Sequence, residues 1–412
     1  MINLVFMKSS QHVRIASIDI MRGLTVFLML FVNDLYVPGV PRWMVHAGAS
    51  EDRIGLADVV FPGFLFLVGV SVPFAIAARR NSEVDTTGRS ILLHIIIRSA
   101  SLIVIGVMIL NGSERLNATL TGMPKLVWLL LLYLGVFLLG NQYKTNDINR
   151  KFLGFNFHVW LKLLGGLLIL FLLLKFKAGN EGNLSWLHHS WWGILGLIGW
   201  GYLAAALTYL LFERLVIWPI LLCSFFLFLN IASLSGWISG LYKFKLFEFF
   251  EVWLSGNVPF ITLSGLLIGM FLQRISNSHA KFIWLFFIGV LAMLSGFILR
   301  RWFIFSKIMG TPSWAFLCIG ISSVLLSLLY FIVDVKRGTK WAYPFTLAGR
   351  NALSTYLAPD MIYFILWSMD SPIFFYKQTQ SVTIAVIGSL VWSMVMVFYV
   401  QVLSLMRVRL KL

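Results

Sequence analysis

Long apolar runs, most of them near twenty positions, alternate along this chain with short polar stretches. In order they fall at roughly 15–37, 57–78, 91–110, 125–140, 157–176, 191–212, 215–235, 257–273, 282–299, 313–333, 343–368 and 381–406. As helices, runs of this length match the hydrocarbon thickness of a bilayer. In lipid every backbone N–H and C=O must be paired internally, so each run is read as a helix. The runs are continuous rather than alternating, which argues against a membrane β-barrel. The expected fold is an all-α polytopic membrane protein with about twelve transmembrane helices. The fourth run is short, and only Glu213-Arg214 parts the sixth from the seventh, so ten or eleven spans stay open. No soluble domain interrupts the pattern, and 1–412 reads as one membrane domain. The segment 236–256, rich in Trp, Phe, Lys and Glu, is expected to lie on the membrane surface as an amphipathic helix. No short repeat and no inverted repeat is visible.

Composition agrees with the pattern. The 412 residues are 59% apolar and 12% charged, with a mean hydropathy of +0.87; a soluble domain carries about 25% charged residues. The net charge of +17 invites a nucleic-acid reading. The basic residues sit in short loops, however, as membrane topology demands, and nucleic acid is set aside. One set of loops holds seventeen Lys and Arg, from Lys8 and Arg14 to Arg409 and Lys411; the opposite set, which includes Arg42, Arg53, Lys307 and Lys377, holds ten. That excess places both termini in the cytoplasm. Cys223 and Cys318 fall inside apolar runs and read as small core residues. The first run is too long for a signal-peptide core and lacks a small-residue cleavage site.

Against this background the polar residues stand out. His46 lies in a loop broken by Pro38 and Pro41, between the first two runs, with Asn33 and Asp34 before it and Asp58 after it. The charge count puts this loop on the outer face. Asp58 opens the second run, where a carboxylate suits the helix dipole; the other reading is that it orients His46 or a substrate amine. Asp19 and Arg22 share a helix face near the inner end of the first run. They form either a packing ion pair or, through Arg22, a hold on an anionic cofactor. Fourteen residues separate Asp19 from Asn33, about 21 Å of helix, so one helix links an inner charge pair to an outer polar cluster. Arg350 and Asn351 occur early in the eleventh run, where Arg350 meets either a phosphate or Asp334. His188 and His189 sit in another outer loop; adjacent side chains diverge and no further ligand has metal spacing, so no metal is expected. Lys307 and Asn257 lie on the same outer side. Phosphate-loop, His-Glu-x-x-His and Gly-x-Ser-x-Gly signatures are missing from the sequence.

The strings Ser17-Ile18-Asp19-Ile20-Met21-Arg22-Gly23, Phe31-Val32-Asn33, His46 and Ala57-Asp58-Val59-Val60-Phe61-Pro62-Gly63-Phe64-Leu65-Phe66 resemble the heparan-α-glucosaminide N-acetyltransferase family. Downstream, Thr311-Pro312-Ser313-Trp314, Val333-Asp334-Val335-Lys336 and Gly349-Arg350-Asn351-Ala352-Leu353-Ser354-Thr355-Tyr356 match in the same order, which sets core motifs at 15–78 and 306–360. The resemblance is to the bacterial branch, without the animal enzyme's lumenal domain. It implies an acetyl-CoA-dependent transferase in a bacterial inner membrane, with its active site facing the periplasm and an amino sugar as acceptor.

The resemblance implies roles for His46, Asn33, Arg22, Arg350 and Asn351, and the reading of loops and charges adds the other expected contacts. His46 stands at the catalytic histidine and Asn33 at an active-site asparagine; read from the residues themselves, Asp58 or Asp34 fixes the imidazole tautomer and orientation. Arg22, Arg79, Arg80, Arg350 and Asn351 are the expected cofactor contacts. Asp34, His188, His189, Asn257 and Lys307 are the expected acceptor contacts. The expected partners are acetyl-CoA, the saccharide acceptor, the bilayer and a second copy of the chain. The alternatives are a secondary transporter of a polar solute and an O-acetyltransferase acting on polysaccharide hydroxyls.

Overall fold

The structure, a computed structural model, describes residues 15–81, 87–143, 151–152, 155–369 and 374–410. Both termini lie outside these residues, as do Lys8, Arg14, Lys144, Arg150 and Lys411 of the charge count. The main helices are α1 (Ala16–Asp34), α2 (Leu56–Arg80), α3 (Gly88–Glu114), α4 (Lys125–Gly140), α5 (Phe157–Lys175) and α6 (Gly193–Phe212). They continue with α7 (Ile217–Leu234), α8 (Asn257–Arg274), α9 (Ser278–Leu299), α10 (Pro312–Tyr330), α11 (Ala352–Ser368) and α12 (Val382–Leu405). Among the described residues, nine helices are long and apolar enough to cross a membrane, with α10 counted through Val335. Helices α4 and α11 are shorter, at 16 and 17 residues. The protein is an integral-membrane type of all-α bundle, and its only strands among the described residues are two short hairpins in loops.

Helix α2 is the hub, packed against α1, α6, α8 and α10. Phe66, Leu67 and Val70 are fully buried in it. Its seam with α8 is made by glycines: a Cβ on Gly69, Gly265 or Gly269 would meet the facing backbone. Small residues that let helix backbones touch are the usual adhesive in lipid, where apolar burial between helices gains little. Helix α1 starts under a carboxylate. Asp334, in the π-turn Phe331–Val335 that ends α10, accepts the N–H groups of Ala16 (2.9 Å) and Ser17 (3.1 Å). Those are the N–H groups a helix start leaves without partners.

Two segments depart from the hydropathy reading. The eleventh run, 343–368, is not one helix. It is a short helix, Tyr343–Arg350, broken from α11 at Asn351 (φ −117°, ψ 37°). The short helix lies across α1 so closely that a Cβ on Gly23 would strike the Phe345 carbonyl, and one on Gly349 the Asp19 carbonyl. A hydropathy average over the run smooths across the polar pair Arg350-Asn351 at which the helix breaks. The segment 236–256 likewise folds as pieces: a 3₁₀ turn at Ser239–Lys243, then the helices Lys245–Phe249 and Glu251–Leu254. It forms a cap on α6, held by Trp200, whose ring meets Phe249, Phe250 and Trp253 at 5.7, 5.6 and 5.5 Å between centroids.

Candidate active site

Pro38 and Pro41 stop α1 from continuing, since proline has no N–H to give a helix. The chain turns, and the loop closes on the start of α2 through Leu56 N–H to the Trp43 carbonyl (2.8 Å) and Ala57 N–H to the Met44 carbonyl (3.2 Å). Asp58 is the third residue of α2. Its Oδ2 accepts the N–H groups of Gly55 and Ala47, each at 3.0 Å. Its Oδ1 lies 2.7 Å from Nδ1 of His46. One carboxylate therefore caps the helix and holds the imidazole. An ionised carboxylate only accepts, so Nδ1 carries the hydrogen and Nε2 keeps its lone pair. Asp58 is 1% exposed and His46 is 51% exposed, so the pair has a buried anchor and an open working end.

The loop is clamped from the other side. Asp52 accepts from Arg300 Nε and from the Phe305 N–H, both at 2.8 Å, and Ser306 Oγ donates to the Ala49 carbonyl at 2.9 Å. Burial pushes the Asp52 carboxyl up, but those two donors outweigh it and hold it below its ordinary value. The clamp brings Lys307 to His46, with Nζ 3.3 Å from Nδ1. Burial lowers the Lys307 pKa, against the pull of Asp58. Trp314 Nε1 donates to the Asp58 carbonyl at 3.1 Å and fixes the α2 terminus on α10.

His46 opens on a cavity of about 860 Å³, which Asn33, Lys307, Asn257, Glu251 and Trp191 also line. That volume is typical of small-molecule sites. Leu65 and Ile261 line its deeper part. Past them the glycine seam of α2 and α8 closes backbone to backbone. Glu251, half-buried in the cap, has its pKa raised by burial, an effect that nearby His189 opposes and Glu248 reinforces.

The other residues expected from sequence lie elsewhere. Asp34 faces away from the cavity, 3.1 Å from Lys377 Nζ and 3.0 Å from the Tyr363 hydroxyl. A one-residue step along α1 turns the side chain by about 100°, so Asn33 and Asp34 cannot share a face. His188 and His189 do not line the cavity. Their rings stack, with centroids 4.5 Å apart, instead of diverging, because Ser190 (φ 48°) and Trp192 (φ 69°) fold the loop tightly. Glu248 joins them, each residue placing a ligand atom within 4.8 Å of the others. Yet His188 Nδ1 accepts the Ser190 N–H (2.9 Å), which leaves the proton of a neutral ring on Nε2. One His188 ring nitrogen is thus already used within its own loop.

At the opposite end of the bundle, Arg22 reaches Ser71 Oγ (2.5 Å), the Gly349 carbonyl (3.3 Å) and Asp19 (3.4 Å). Arg80 pairs with Glu213 at 2.5 Å. Arg79 is half-buried beside it on α2, and Arg350 is exposed. Asn351 Nδ2 donates to Ser404 Oγ at 3.3 Å. Asp334 caps α1, and no Arg350–Asp334 ion pair occurs among the described residues. Glu251, Trp191 and Asn230 are not among the site residues expected from sequence, and Lys377 entered only the loop charge count. Nothing in their local strings marks them, since their neighbours in space come from distant segments.

Comparison with known proteins bears on one part of the chain. Residues 14–114 match the family model "Heparan-alpha-glucosaminide N-acetyltransferase, catalytic". The chain is also similar to the heparan-alpha-glucosaminide N-acetyltransferases of Mus musculus and Homo sapiens, 36% identical to each over 107 residues. That stretch covers 25% of this chain and 15% of each relative. The family-model match, 14–114, includes Asn33, His46 and Asp58.

Proposed function

We propose that this chain, whose residues 14–114 belong to the heparan-α-glucosaminide N-acetyltransferase family, moves acetyl from cytoplasmic acetyl-CoA to the amine of an amino sugar on the outer face of a bacterial inner membrane. The observation that carries the reading is the His46–Asp58 pair, open on a ligand-sized cavity that Asn33 also lines. In this reading Nε2 of His46 takes the proton of the amine as its nitrogen bonds the thioester carbonyl. The C–S bond then breaks, and the proton passes from His46 to the departing sulfur. Asp58 keeps the imidazole in the required tautomer and supports its charged form. Asn33 donates to the oxyanion, and the Lys307 ammonium adds positive charge beside it. Arg22, tied to Ser71, is the first contact for the donor phosphates at the cytoplasmic end, with Arg79, Arg80 and Arg350 around the same end.

Purified full-length protein with labelled acetyl-CoA and glucosamine is expected to release CoA and form N-acetylglucosamine. His46→Ala is expected to slow transfer by about 100- to 10,000-fold while acetyl-CoA still binds. Full activity in that variant, or no transfer by the wild type, would sink the proposal.

A further inference from the structure

We infer that the cap segment reads the acceptor: Glu251, with Trp191 and Asn257, holds the hydroxyl-bearing end of a saccharide whose amine faces His46. This rests on the transferase reading and adds the part of the site that selects the sugar. The Glu251 carboxylate lines the cavity and makes no hydrogen bond or ion pair among the described residues. A carboxylate on a cavity wall that is unpaired within the chain is open to a ligand that brings donors. The same cavity has a surplus of acceptors. The Oδ1 atoms of Asn257 and Asn230 are both buried without a partner, and both residues line it. Asn230 spends its amide donor on the Ser255 and Gly310 carbonyls, at 2.8 and 3.0 Å.

Sugar hydroxyls are the matching donors, and the two oxygens of one carboxylate can accept from adjacent hydroxyls. Trp191, 43% exposed, offers a ring face to the C–H side of a pyranose. His46, Lys307 and Asn33 provide a base and donors suited to the reacting end. The ligand is thereby oriented amine-first. The aromatic packing of the cap on Trp200 holds Glu251 in place. All three recognition residues lie outside 14–114, so the cap can set acceptor choice independently of the catalytic stretch.

The test reads binding without turnover. Glucosamine and N-acetylglucosamine are titrated calorimetrically against the full chain in lipid nanodiscs. Glu251→Ala is expected to weaken both sugars by at least about tenfold, since each presents the same hydroxyls and a hydrogen bond to a charged group is lost. Unchanged affinities in Glu251→Ala overturn the inference, and so does a loss confined to glucosamine, which would make Glu251 an ammonium contact. If Glu251→Ala does not fold, Trp191→Ala, altered at an exposed ring, must show the same parallel loss. A wild type that binds both sugars but transfers no acetyl would refute the transferase reading alone.

Discussion

At the residue scale, the sequence offers His46 two carboxylates, Asp34 and Asp58, each twelve positions away. The choice between them is made by helix phase and by the loop. Asp58 sits in the first turn of α2, where its carboxylate collects two N–H groups and still reaches Nδ1. Asp34 is turned to Lys377 on the far side of α1. Asp58→Asn is accordingly expected to lower kcat for acetyl transfer by at least about 100-fold, because a carboxamide can donate to Nδ1 and favours the wrong tautomer. The same rate in this variant would reduce Asp58 to a helix cap. His46, Asn33 and Asp58 are legible in sequence as polar residues next to apolar runs. Glu251 is not, because a glutamate in an amphipathic segment looks like any solvated charge until the fold turns it inward.

At the element scale, α1 is fixed at both ends by other parts of the chain. Asp334 caps its start, and the Asp34–Lys377 pair anchors its finish, with Lys377 4.6 Å from the centre of the Phe374 ring. Asp34 is 1% exposed, so removing its partner strands a buried charge. Lys377→Met is expected to cost about 3–5 kcal/mol, seen as a lower melting temperature in detergent. Adding Asp34→Asn should recover most of that loss; a double variant as unstable as the single one would refute the pairing account. The motifs Arg22-Gly23 and Gly349-Arg350 teach a related lesson. Sequence reading draws the eye to the arginines as phosphate contacts. The structure shows that the glycines are what let α1 and the Tyr343–Arg350 helix touch, carrying Arg22 to the Gly349 carbonyl.

For the whole molecule, the bundle has a His46 end and an Arg80–Glu213 end, and the proposed chemistry needs the first outside and the second in the cytoplasm. Cys223 and Cys318 are both buried, which gives a quiet background for thiol labelling. A membrane-impermeant maleimide applied to intact cells is expected to label Ser50→Cys but not Arg214→Cys until the membrane is opened. The reverse pattern would invert the topology and leave His46 on the donor side.

The structural class followed from the sequence alone. Apolar run length decides that the chain is a helical membrane bundle, because backbone polar groups in lipid must be paired within each helix. Polar residues flanking those runs point to the His46 loop, because such residues are costly in lipid and few. The tertiary structure alone decided which carboxylate serves His46, where the eleventh run breaks, and that a cap from 236–256 adds Glu251 to the same cavity. Those outcomes depend on helix phase, on backbone contacts at glycine, and on segments some two hundred residues apart meeting in space. None of these leaves a trace in the hydropathy of a single strand of sequence.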